Sequence, residues 1–142
     1  YDDQKTWGEA LLTPSLIFTP VVNKIIQSGI KLSGIAHITG GGIIDNFQRV
    51  LKTNGLGANL DGLFEPLEVM QKLIKLGNIS AEDAYLYWNM GNGMLIVAEE
   101  SQIEKVLETA ASLNYEAKVA GTITPERKIT LQTSIAKLQG TY

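Results

Sequence analysis

Gly34-Ile35-Ala36-His37-Ile38-Thr39-Gly40-Gly41-Gly42 is the stretch of sequence that says most about the fold. Its first five residues form a short, mainly apolar run of strand length, and the residues from Ile43 to Leu51 predict a short helix. The glycines are therefore predicted to lie at a turn from a strand into a helix. Three consecutive glycines lose much backbone entropy on folding, so the pattern indicates a positive φ or a close approach to the backbone.

This glycine turn is a candidate anion site. The free N–H groups and the dipole at the start of a helix favour a phosphate, and glycine has no Cβ to obstruct it. Thr39 adds a hydroxyl donor, and His37, the only histidine, could donate a hydrogen bond or shuttle a proton. A tight turn without a ligand and a purely structural histidine are the alternatives, because the pattern is neither a P-loop nor a GxGxxG motif.

Outward from this turn, helices and strands alternate irregularly. Helices are predicted from the N-cap Thr19 to Gly29, from Pro66 to Gly77 with Leu67 facing inward, from the cap Ser80 to Tyr87, and from Ser101 to Leu113 with a Ser101/Glu104 capping box. Further strands are predicted at 58–60, 94–98, 117–123 and 128–133, the last two joined as a hairpin by a turn around Pro125. The order predicts an α+β fold with a mixed or antiparallel sheet covered by helices.

Other polar features carry weaker predictions. Asn89-Met90-Gly91-Asn92-Gly93-Met94 is a second glycine-bearing turn, which we interpret as a plain turn. The acids are dispersed and give no metal signature, so no metal ligand is predicted in this chain. Nothing in the sequence brings a serine to His37, so no Ser/His/Asp arrangement is predicted.

Composition limits the class of protein. The 142 residues suit one domain, and 44% hydrophobic with 19% charged residues is typical of a folded chain. A net charge of -3 with scattered basic residues argues against a nucleic-acid partner, and no apolar run is long enough for a membrane helix. The absence of cysteine suits a reducing cytoplasm. The polar start without Met is expected to be a linker, residues 1–8, from a preceding domain, with the domain itself at 9–142.

Several motifs in order resemble a known family. These motifs are Gly8-Glu9-Ala10-Leu11-Leu12-Thr13-Pro14, then Ala36 to Gly42, then Asn46 with Arg49-Val50-Leu51, and then Asn89 to Met94. Together they closely resemble the C-terminal half of phosphoribosylformylglycinamidine cyclo-ligase, also called AIR synthetase. The resemblance runs from about Gly8 to about Leu131. It adds Asn46 and Arg49 to the cleft candidates His37, Thr39, Gly40, Gly41 and Gly42.

The resemblance implies a two-domain enzyme that uses ATP and magnesium to close the imidazole ring of formylglycinamidine ribonucleotide, giving aminoimidazole ribonucleotide, ADP and phosphate. It implies that a nucleotide-binding N-terminal domain, outside this chain, holds the metal ligands, most of the ATP site and the main homodimer contact. The C-terminal domain would cover the cleft with its glycine turn. The resemblance therefore implies that this chain is inactive on its own.

The sequence also departs from the family pattern. Relatives usually continue after Thr13-Pro14 with Thr-Arg-Ile-Tyr, whereas this chain has Ser15-Leu16-Ile17-Phe18 and so lacks a guanidinium and a phenol. Asp45 stands where Glu is usual, Gln48 where Pro is usual, and Trp88 where Phe is usual. Two alternatives follow: another enzyme of the same superfamily, such as formylglycinamidine ribonucleotide synthetase, selenophosphate synthetase or thiamine-phosphate kinase, or a stand-alone ligand-binding module without catalytic activity.

Overall fold

A computed structural model describes Tyr1 and residues 4–142 of the chain. The helices of this described part are α1 (Trp7–Leu11), α2 (Thr19–Gln27), α3 (Gly42–Leu51), α4 (Glu68–Gly77), α5 (Ala81–Tyr87) and α6 (Ile103–Ser112), with short 3-10 helices at Lys52–Asn54 and Glu100–Gln102. The strands are β1 (Leu32–His37), β2 (Gly57–Leu60), β3 (Met94–Ala98), β4 (Gly121–Thr124), β5 (Lys128–Gln132) and β6 (Lys137–Thr141). The predicted α+β class is confirmed.

The strands form two sheets. β1 and β3 pair antiparallel, and the other four strands form a mixed sheet in the order β4-β2-β5-β6, in which only β2 and β5 run parallel. A register shift between Leu32 and Gly34 resets the alternation of β1. Beyond this shift, Ala36 points to one face of the small sheet and His37 to the other, because successive strand residues alternate.

Two apolar clusters stabilise the fold on either side of the β1/β3 sheet. The larger joins α3, α5 and the four-stranded sheet, and its members include Ala36, Phe47, Tyr85 and Ile129. The smaller joins α2 and α6 to the opposite face of β1/β3. Its buried residues are Val21, Ile25, Ile30, Val106 and Ala110. The glycine turn therefore belongs to the larger cluster through α3, whereas His37 is directed to the side of α2.

The predicted terminal hairpin is wrong. β4 and β5 do not pair with each other, because β2 lies between them and bonds to both. The hairpin of this region is β5 with β6, and β6 was not predicted. Turn chemistry and β-propensity identify a strand, but they do not select its partner from a distant part of the chain.

The predicted starts of two helices, α2 and α4, differ from the structure. α2 is capped by Phe18 without a side-chain hydrogen bond, so the predicted N-cap Thr19 is wrong by one residue. α4 begins at Glu68 instead of Pro66, and Leu67 is 52% exposed instead of facing inward. α1 was not predicted, although Thr6 and Glu9 form a capping box at its start.

The predicted Ser101/Glu104 capping box is also absent, whereas the Ser80 cap is confirmed. Ser101 lies within the 3-10 helix, and α6 begins after Gln102 without a side-chain cap. At α5 the Ser80 Oγ accepts a hydrogen bond from the Asp83 N–H at 3.0 Å. At α6 the 3-10 turn leads into the helix, so the backbone N–H groups at its start do not depend on a serine cap.

Ser80 caps a helix and Ser101 does not, so substitutions of the two serines should differ in their effect on stability. We expect Ser80→Ala to lower the free energy of unfolding by about 0.5–2 kcal/mol, because the cap of α5 is lost. Ser101→Ala, also at an exposed position, should change it by less than about 0.5 kcal/mol. Urea unfolding followed by circular dichroism measures both. Equal losses in the two variants would contradict the assignment of the caps.

Candidate functional site

Gly42 and Gly41 have structural reasons to be glycine. Gly42 has φ +63°, and a Cβ there would lie 2.1 Å from the backbone oxygen of Tyr85, so its missing side chain lets α3 pack against α5. Gly41 is the N-cap of α3 with φ +99°, a conformation that other residues rarely adopt. A side chain at either position would disturb the fold before it could disturb a ligand.

Gly40 differs from its two neighbours. It is exposed, its φ is outside the positive range, and a Cβ built on it would meet no atom within 4 Å. Thr39, which precedes it, is exposed as well. No packing requirement therefore explains the glycine at position 40, and its backbone is the part of the turn that a ligand could approach most closely.

Asn46 holds the turn in shape from within α3. Its side chain is buried, and its Nδ2 lies 2.7 Å from Gly42 O, 3.3 Å from Gly40 O and 3.5 Å from Thr39 O. The Thr39 hydroxyl donates in turn to the Asn46 Oδ1 at 3.5 Å. Buried carbonyls need such partners. Asn46, a cleft candidate from the sequence, thus contacts the turn directly and positions it.

A carboxylate lies against the other side of the turn. Asp45 forms an ion pair with Arg49 one helical turn later, and its Oδ1 accepts a hydrogen bond from Gln48 Nε2 at 2.9 Å. Its Oδ2 would lie 2.7 Å from a Cβ at Gly41. A carboxylate in the first turn of a helix is favourable. Because Arg49 is already paired with Asp45, its positive charge is partly neutralised beside the turn.

His37 is separate from these groups. Its ring is exposed on the α2 side of the β1/β3 sheet and meets the ring of Phe18 edge to face, with 5.9 Å between centroids. Within the described residues no hydrogen bond joins the His37 side chain to the glycine turn. The sequence candidates thus form two groups: Thr39 to Gly42 with Asn46 and Arg49, beside which Asp45 lies, and His37, which packs against Phe18.

The second glycine turn is more than the plain turn predicted from the sequence. Asn92 is buried, accepts from the Phe64 N–H at 2.8 Å, and donates to Phe64 O at 3.2 Å and Met90 O at 3.0 Å. The Gly93 carbonyl accepts from the Ile38 N–H at 2.9 Å, so the two glycine turns lie side by side. Each turn is therefore held by one buried asparagine. No sequence pattern indicated the role of Asn92, because its partner Phe64 is distant in the chain.

Neither a metal centre nor a membrane helix is found in the described part of the chain. Among these residues no group of three or more His, Cys, Asp or Glu side chains could hold a metal ion. None of the helices in Tyr1 and residues 4–142 has the length and apolar character needed to cross a bilayer.

Solved structures share this fold. A HypE-HypF complex aligns with a TM-score of 0.67 at 19% identity, covering 94% of this chain and 45% of the other. PurL of T. maritima complexed with ATP aligns with a TM-score of 0.61 at 13% identity, covering 86% of this chain and 20% of that one. These likenesses show that the chain shares its fold with parts of the HypE-HypF and PurL structures.

The sequence comparisons show the family. Residues 2–134 match the family described as "AIR synthase related protein, C-terminal domain", and the chain belongs to it. Phosphoribosylformylglycinamidine cyclo-ligase of Carboxydothermus hydrogenoformans is 36% identical over 126 residues, which are 88% of this chain and 36% of that protein. The cyclo-ligase of Pseudothermotoga lettingae is 38% identical over 128 residues, covering 89% and 37%. The chain thus spans little more than a third of the length of these relatives.

Proposed function

We propose that this chain is the C-terminal part of a phosphoribosylformylglycinamidine cyclo-ligase, which converts formylglycinamidine ribonucleotide to aminoimidazole ribonucleotide with ATP in the cytoplasm. The similarity to named cyclo-ligases along most of the chain carries this proposal. ATP and magnesium would bind mainly outside this chain, in a nucleotide-binding domain that precedes a linker at residues 1–8. That domain would also supply the contact of a homodimer.

In this proposal the turn Thr39 to Gly42 binds a phosphate group. The open backbone at Gly40 and the N-terminus of α3 supply N–H donors, and the fixed conformation of the turn lowers the entropy lost on binding. Asn46 positions the turn. Asp45 would compete with the phosphate for Arg49, so the phosphate would have to draw the guanidinium from the carboxylate.

The chain by itself is expected to be catalytically inactive. Ring closure needs the phosphoryl group, the amidine nitrogen and charge-stabilising groups held together, and this proposal places the metal and most of the ATP contacts outside this chain. Purified residues 1–142 should release no phosphate from ATP when the ribonucleotide is present. Turnover comparable to that of an intact cyclo-ligase would contradict the proposal.

Gly40→Ala tests the phosphate site. The structure leaves room for this Cβ, so folding should be nearly unchanged, whereas an anion close to the backbone would be obstructed. We expect the affinity of the 142-residue chain for ribose 5-phosphate to fall by about tenfold or more, equivalent to about 1.4 kcal/mol. Calorimetric titration measures the affinity, and urea unfolding measures stability.

Asp45→Asn is the matched electrostatic variant. It removes the carboxylate beside Gly41 and frees Arg49, so the affinity for the same ligand should rise a few-fold. If Gly40→Ala binds ribose 5-phosphate as tightly as the parent and Asp45→Asn has no effect, the turn is structural only. The family assignment would survive that result, but the proposed phosphate site would not.

A further inference from the structure

A cavity of about 400 Å³ opens on the His37 side of the β1/β3 sheet. The sheet supplies Ile35, His37 and Met94, the segment before α2 supplies Leu16 to Phe18, and α2 supplies the remaining wall. The described residues that line it are Leu16, Ile17, Phe18, Thr19, Val22, Asn23, Ile35, His37 and Met94. The volume lies in the range of small-molecule sites, roughly 300–1,000 Å³.

The chemistry of the wall selects against ions. None of these lining residues is a lysine, arginine, aspartate or glutamate, so neither an anion nor a cation would find an opposite charge on them. Most of the wall is aliphatic or aromatic. The cavity is therefore unlike the glycine turn, where an ion pair and helix N–H groups lie together.

Three polar side chains on the wall have unused hydrogen-bonding capacity. Thr19 and Asn23 lie one helical turn apart on α2, and His37 faces them from β1. In the described part of the chain no hydrogen bond from or to these three side chains is formed. They can supply donors and acceptors to a ligand that is otherwise apolar.

The aromatic part of the wall is held in place. The Phe18 ring packs on the backbone of Gly93, where a Cβ would lie 2.7 Å from its Cζ, and its centroid is 6.4 Å from that of Tyr115. The Tyr115 hydroxyl donates to Ile17 O at 2.6 Å and fixes the neighbouring residue. The glycine of the second turn is thus needed to seat Phe18, and the cavity is preformed.

From this geometry we propose that the cavity binds an uncharged aromatic ring compound. The edge-to-face pair of Phe18 and His37 presents ring surfaces against which a third ring can pack, and Met94 adds a sulfur to the floor. Thr19, Asn23 and His37 would bond a polar atom on the edge of that ring. The proposal stands independently of the proposed phosphate site and of the cyclo-ligase reaction.

Indole is a suitable probe, because it is uncharged and carries one N–H donor. His37 is the only histidine, so its ring signals in an NMR spectrum of the 142-residue chain report the cavity without further assignment. We expect indole to shift the His37 and Met94 signals in a saturable manner. Cyclohexanol, which is uncharged but not aromatic, should bind more weakly than indole.

Leu16→Ala and Leu12→Ala form a matched pair of variants. Both leucines are exposed, at 67% and 82%, but only Leu16 lines the cavity. We expect Leu16→Ala to weaken indole binding about fivefold, because apolar wall is lost, and Leu12→Ala to change it by less than about twofold. Three results would each overturn the proposal: no saturable shift with indole, binding of cyclohexanol as tight as that of indole, or unchanged affinity in Leu16→Ala.

Discussion

Gly42→Ala is expected to lower the free energy of unfolding by about 2–4 kcal/mol. The new Cβ would lie 2.1 Å from the backbone oxygen of Tyr85 and 2.9 Å from that of Leu86, and a backbone atom cannot rotate away as a side chain can. The left-handed conformation at φ +63° adds about 1–2 kcal/mol for a residue with a Cβ. Overpacking of this kind costs about 1–3 kcal/mol by itself.

Urea unfolding of the 142-residue chain, compared with Gly40→Ala in the same turn, measures this effect. The control differs by one methyl group two residues away, where the structure leaves open space. The midpoint should fall for Gly42→Ala and remain close to the parent for Gly40→Ala. Equal midpoints in the two variants would mean that α3 does not pack on α5 through Gly42.

Gly41 and Gly40 differ in how well a substitution there can test the phosphate site. A valine at Gly41 looks informative from the sequence, since it would obstruct a phosphate. In the structure its φ of +99° and the nearby Asp45 carboxylate make any side chain there strained. A loss of binding in such a variant would mix folding with recognition, whereas Gly40 separates the two.

The local elements of the fold could be predicted where the signals are local. Three glycines before Ile43 placed the start of α3, and Ser80 placed the start of α5. Ser101 was wrong because a serine three residues before a glutamate also fits a 3-10 turn, and the choice depends on how the turn packs. The capping pattern alone carries no information about that packing.

Pairing of strands could not be predicted, because it depends on contacts between distant segments. β2 inserts between β4 and β5, so that Ala58 pairs with both Ile123 and Ile129. β6 escaped prediction because Lys137 to Thr141 alternates weakly and contains Gly140. Gly140 is explained only in three dimensions, since a Cβ there would lie 2.5 Å from Ile44 Cγ2 on α3.

The candidate site was predicted in part for the same reason. The sequence identified the glycine turn, and resemblance to the family added Asn46, which does contact it. The sequence did not show that the His37 side chain lies apart from the turn. Adjacent strand residues point to opposite faces, and the sequence does not show which face each helix covers. Nor did it indicate that Asn92 performs at the second turn the role that Asn46 performs at the first.

Asn46→Asp should also lower the free energy of unfolding strongly, and the size of this loss should depend on pH. The substitution keeps the shape of the side chain but replaces the Nδ2 donor by a carboxylate oxygen that would face the carbonyls of Gly42, Gly40 and Thr39. Burial and these carbonyls would raise the pKa of the introduced carboxyl above its unfolded value of about 3.9. We expect a loss of about 2–4 kcal/mol in the free energy of unfolding at neutral pH.

The sign of the pH dependence follows from that raised pKa. Above the folded-state pKa the carboxylate is charged and the full loss is present, whereas below the unfolded pKa the carboxyl is protonated and can donate to Gly42 O. The difference in unfolding free energy between parent and variant should therefore shrink as the pH falls through that window. Asn46→Ala, which cannot titrate, should show a loss that is nearly independent of pH. A loss in Asn46→Asp that stays constant between neutral pH and about pH 4 would mean that its side chain leaves the turn and is solvated, and that the Asn46 contacts do not hold the glycine turn.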